Sequence, residues 1–189
     1  MMRRALLASL CILAPVSAQA QTSDVGQGRL DISGQAPSAC LISAPTSATG
    51  ANTSFQSTGA QQGQITINQL ADAQTATPIA SSINLALPII CNTAHTLTIS
   101  TSNGGLLRLG GVVGPETNGF RQFLPYRVGA TWAGQTANAT SQAGATITIN
   151  ASDGAAGQLN LEVSTPGGGD PLVAGSYSDE LVIQLRVAS

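Results

Sequence analysis

Apolar and polar residues alternate in short runs along most of this chain. The clearest run is SYSDELVIQLRVAS, Ser176 to Ser189, with Tyr177, Leu181, Ile183, Leu185 and Val187 at odd positions. Ser178, Glu180, Gln184 and Arg186 take even positions, and Val182 and Asp179 are the exceptions. A period of two is the pattern of a half-buried β-strand. It turns Leu181, Ile183, Leu185 and Val187 toward an interior. Similar runs are GRLDISG leading into SACLIS, then GQITINQL, SINLALPIIC, HTLTISTS, LPYRVGATW, ATITIN and GQLNLEVS. Stretches rich in Gly, Pro, Asn, Asp and Ser separate them, as turns require. No stretch carries the i, i+3, i+4, i+7 spacing of an amphipathic helix over three turns. The pattern predicts an all-β fold, about eight short strands packed as one sandwich. Ala44 to Gly63, rich in Ser, Thr and Gln, is expected to be a long surface loop.

The two ends of the pattern differ from its middle. After Val187 no turn and no returning strand follow, so the last strand is expected to keep an unpaired edge, which invites aggregation. Residues 1–20 read as a secretory signal peptide: Arg3 and Arg4, the apolar run ALLASLCILAPV, and the small-residue cleavage signal Ala18–Ala20. The apolar run is too short to span a bilayer. Cys11 follows Leu10 rather than a small residue, so no lipid-anchored N-terminus is expected. Next comes an extension, residues 21–33, in which Leu30 and Ile32 share one face and Arg29 and Asp31 the other. The folded domain is expected over residues 34–189.

Composition narrows the function classes. The chain has no Lys, and its seven cations are all Arg, two of them in the leader, against nine acidic residues. Nucleic-acid binders cluster Lys and Arg, so no nucleic-acid partner is expected. Beyond the leader only Cys40 and Cys91 remain, and an even count in an exported chain reads as one disulfide. Two Cys and one His are too few for a closed zinc shell, so no metal is expected.

Catalytic chemistry finds no anchor. His95 is the only histidine, and no Ser or Asp is placed beside it by spacing; it is expected on the surface or at a strand edge. The neighbours Asp179 and Glu180 point to opposite faces of a strand and cannot form an acid–base pair. GGLLRLGG lacks the Lys-Ser/Thr and the helix of a phosphate loop. Neither enzyme activity nor a small-molecule cofactor is expected. Tyr126 and Trp132 can share a strand face, where core packing is favoured over an exposed sugar platform because aromatics are scarce.

Taken together, RLDISGQAPSACLIS, LALPIICNTAHTLTIS, LPYRV and GSYSDELVIQLRV resemble the spore coat protein U domain family, subunits of archaic chaperone–usher pili. Gly175, Tyr177 and Asp179 fit the family's C-terminal motif. The resemblance implies an immunoglobulin-like β-sandwich, incomplete because it lacks its last strand and completed by donor-strand complementation. The acceptor groove would be Leu181, Ile183, Leu185 and Val187, and the donor strand would carry Leu30 and Ile32. The implied partners are a periplasmic chaperone, an outer-membrane usher and neighbouring pilus subunits, with export through the periplasm to a cell-surface pilus serving adhesion or biofilm formation. The alternative is a self-complete secreted sandwich that binds a surface glycan.

Overall fold

The computed structural model describes residues 29–114, 116, 118–141 and 145–188. The expected leader and residues 21–28 of the extension lie outside the described residues. The chain divides into two units at Gln35–Ala36. In the first, Arg29 and Asp31 form an ion pair at 2.9 Å, as residues on one face of an extended segment do. No strand forms over 29–39, although GRLDISG alternates. Alternation supplies a face, but a strand also needs a ladder, and none reaches this segment among the described residues.

Among the described residues the second unit contains fourteen strands, and no helix occurs. They are β1 (Cys40–Ile42), β2 (Ser47–Ala51), β3 (Thr53–Gly59), β4 (Gln62–Ile67), β5 (Ser81–Cys91), β6 (His95–Thr101) and β7 (Leu106–Arg108). After these come β8 (Phe123–Leu124), β9 (Arg127–Trp132), β10 (Gln135–Thr140), β11 (Thr146–Ala151), β12 (Ala155–Thr165), β13 (Tyr177–Ser178) and β14 (Leu181–Val187). Every strand pairing is antiparallel.

One sheet runs β1-β5-β12-β9-β10, with β2 also on β5, and another runs β11-β6-β14. Both contribute to a single core. From the larger sheet come Ile83, Leu85, Leu87, Ile89, Val128, Trp132, Leu159 and Leu161, and from the smaller Leu97, Ile99, Ile147 and Ile149. These positions, with Ala130 between Val128 and Trp132, are two apart along each strand, so the alternation read in the sequence is the alternation that packs. On one side β10 and β11 adjoin, while on the other β1 approaches β14.

Three local features depart from the sequence reading. The segment 44–63 is not a loop: it holds β2, β3 and the start of β4. β2 is exposed at every position and is held by backbone bonds to β5 alone. A strand exposed on both faces needs no apolar alternation, so the pattern cannot show it. β10 follows β9 through a two-residue turn, Ala133 and Gly134, both with positive φ (49° and 75°). This is the geometry that suits a twisted hairpin. Pro88 lies inside β5, a strand with neighbours on both sides. Its carbonyl accepts a bond from Ser43 N–H at 2.9 Å, so its missing N–H also faces the β1–β2 edge. There β1 has ended and β2 has not begun, and the ladder loses nothing.

Candidate functional site

β14 is bonded to β6 along one edge, and among the described residues no strand pairs with the other. The register shows what that edge offers. Ser102 N–H bonds to Glu180 O and Ala188 N–H to Ala94 O, both at 2.9 Å. These bonds bracket Leu181↔Thr101 and Val187↔His95, so the odd residues of β14 form the pairs that do not exchange hydrogen bonds with β6. The N–H and C=O of Leu181, Ile183, Leu185 and Val187 therefore point outward, along the open edge. Their side chains lie on the inner face. Leu181, Ile183 and Leu185 are half-buried and pack on the core, while Val187 is 41% exposed. Cys40 and Ile42 of β1 pack on the same core from the opposite sheet. The apolar row of Leu181, Ile183 and Leu185 and the outward backbone of β14 thus lie together on the edge strand that β1 approaches.

The disulfide Cys40–Cys91 fixes the start of β1. It joins the first residue of β1 to the last of β5, which are register partners. The carboxylate of Asp179 fixes the start of β14. It accepts hydrogen bonds from the N–H groups of Asn103 (2.8 Å), Gly105 (3.0 Å) and Glu180 (2.8 Å), and from the Tyr126 hydroxyl (2.9 Å). Tyr177 shares its hydroxyl proton between the carbonyls of Val173 (2.7 Å) and Arg121 (3.0 Å). Gly175 has φ +148°, and a Cβ there would lie 2.8 Å from Arg108 Nε, which donates to Ala174 O at 2.8 Å. Gly175, Tyr177 and Asp179 thus tie down the approach to β14. Leu30 and Ile32 are 86% and 91% exposed.

Burial first, then the hydrogen bond and charge of Asp179, push the Tyr126 phenol far above its ordinary range. A pKa raised in the fold contributes stability that is complete below the unfolded value of about 10. That stability drains as pH rises beyond it. Burial also raises Tyr177, against the opposing charge of Arg108. Tyr126→Phe is expected to flatten the alkaline loss of stability, as read from denaturant melts on either side of about pH 10.

His95 is not a surface residue but 1% exposed at the start of β6. Its Nδ1 lies 2.8 Å from Thr93 O and donates to it, and its Nε2 accepts from the Trp132 indole N–H at 2.8 Å. One carbonyl and one donor fix a single neutral tautomer. The indole N–H is what makes a buried imidazole acceptable here, and sequence spacing could not show that pairing. Tyr126 and Trp132 are both buried, so Trp132 offers no face for stacking a sugar.

The chain matches no protein-family model, no curated protein and no solved structure among known proteins.

Proposed function

We propose that this chain is a structural subunit of a chaperone–usher surface pilus, an incomplete immunoglobulin-like sandwich whose missing strand comes from a neighbour. The open edge of β14 carries this reading, because core-packed side chains and an outward backbone ladder coincide on Leu181, Ile183 and Leu185. A strand laid along that edge would bond to the ladder, and its alternate side chains would pack beside Leu181, Ile183 and Leu185. The extension 21–33 would be the donor. Leu30 and Ile32 are two residues apart, as the pleat requires, with Arg29 and Asp31 on the other face. Before assembly a periplasmic chaperone would lend the strand, and an outer-membrane usher would pass the subunit to the cell surface for adhesion or biofilm formation. The reading requires no cofactor and no nucleic acid.

A photo-crosslinking amino acid at Ile32 of the full chain, expressed with its chaperone and usher, tests this. The expected product is a ladder of covalent multimers whose crosslinks map to Leu181–Val187 of a second copy. Crosslinks confined to one chain would make the sandwich self-complete. Crosslinks that avoid β14 would end the pilus reading.

A further inference from the structure

We infer that Cys40, Cys91 and His95 form a redox-gated zinc site, closed while the disulfide is intact and open to Zn²⁺ when it is reduced. The sulfurs and an imidazole nitrogen lie within 4.8 Å of one another. Cys91 and His95 are 2% and 1% exposed, and Cys40 is half-buried against the core. Three strands bring them together: β1 supplies Cys40, β5 ends on Cys91, and β6 begins with His95 after a short turn. None of this depends on how β14 is completed.

The chemistry of the donors selects the ion. Two thiolates and one neutral imidazole suit zinc, with Zn–S near 2.3 Å and Zn–N near 2.0 Å, leaving a fourth position for water. Charge decides against monovalent soft ions. Zn²⁺ with two thiolates is neutral, whereas a monovalent ion would leave a net negative charge in a buried site, which is costly. The imidazole is already oriented. Its Nδ1–H is held by the Thr93 carbonyl, the outer-shell bond that commonly fixes a metal-binding histidine. The Nε2 lone pair is occupied by the Trp132 N–H, so zinc would displace that donor.

The steps balance with a dithiol as reductant. The dithiol gives two electrons and two protons to the Cys40–Cys91 bond and leaves as its own cyclic disulfide. The two freed thiols then lose two protons as Zn²⁺ binds, and the sulfurs separate to about 4 Å, the span of two Zn–S bonds. Disulfide and zinc exclude each other, so zinc would hold β1 to β5 and β6 in a chain not yet oxidised and would slow its oxidation.

The test uses the secreted chain, reduced with a dithiol, freed of it without air, and titrated with Zn²⁺ against a chromogenic chelator. One equivalent is expected to bind, with a change in the fluorescence of Trp132, slower alkylation of both thiols and a zinc-dependent rise in melting temperature. The oxidised chain should show none of these. His95→Gln should weaken binding at least about tenfold, since even outer-shell changes cost 10–100-fold. Trp132→Phe frees Nε2 and should tighten it. Absence of zinc binding by the reduced chain, or equal binding by the oxidised one, overturns the proposal. So does unchanged affinity in His95→Gln; should that variant not fold, Trp132→Phe decides, and unchanged or weaker binding there overturns it.

Discussion

Ile183→Asp is expected to be among the most damaging single changes in this chain, and Gln184→Asp, one residue on, among the mildest. Ile183 packs on the shared core from the middle of β14, beside its register partner Ile99 on β6. A carboxylate there replaces apolar contact with a charge set among the apolar side chains of the core. Loss of the side chain alone costs about 2–4 kcal/mol at a core position, and the stranded charge adds to it. Gln184 lies on the outer face and is exposed, where substitutions stay within about 0.5 kcal/mol. Urea melts of the two variants beside the parent chain measure the difference. Equal losses would mean that the inner and outer faces of β14 have been exchanged.

Cutting the Cys40–Cys91 bond should have a comparable effect through the unfolded state. The bond closes a loop with a sequence separation of 51. In the chain-entropy account such a closure is worth about 4 kcal/mol, against the roughly 5–15 kcal/mol by which domains are stable at all. Denaturant melts with and without a dithiol, in a buffer free of metal ions, should separate by that amount. Cys40→Ser with Cys91→Ser should match the reduced chain. The native oxidised chain should show no free thiol. Two thiols per chain in native protein, or coincident melts, would remove the claim.

Strands were legible in the sequence to the degree that one of their faces is buried. SINLALPIIC, HTLTIS, ATITIN, LNLEV and LVIQLRV alternate because one face of each packs on the core, and they became β5, β6, β11, β12 and β14. β2 is exposed on both faces and β3 turns only Thr53 and Phe55 partly inward, so hydrogen bonding, which leaves no periodic trace in composition, is the main reason these strands are extended. β10 carries just Ala137 and Ala139 inward, too small to register as a pattern. The site divides in the same way. The bond between Cys40 and Cys91 could be read directly, and of the four β14 residues read as inward, Leu181, Ile183 and Leu185 pack on the core while Val187 is exposed. The Asp179 network could not, because it gathers Asn103, Gly105 and Tyr126 from residues 53 to 76 positions away. His95 was misplaced for a related reason: a histidine reads as polar until its partner is known, and Trp132 lies 37 residues off.

The position of the disulfide bears on mechanical force. A pull on the segment before Cys40 meets the hydrogen bonds of Pro37 and Ala39 to Asn92 and then the first residue of β1. Without the bond, β1 would peel from β5 one hydrogen bond at a time, beginning at Cys40, and a strand of three residues resists that weakly. The covalent link joins Cys40 to the end of β5, so tension passes around β1 into a strand paired with β12 over eleven consecutive residues. The first load on the domain is then borne by the covalent bond and by β5, while β1 stays slack beside them.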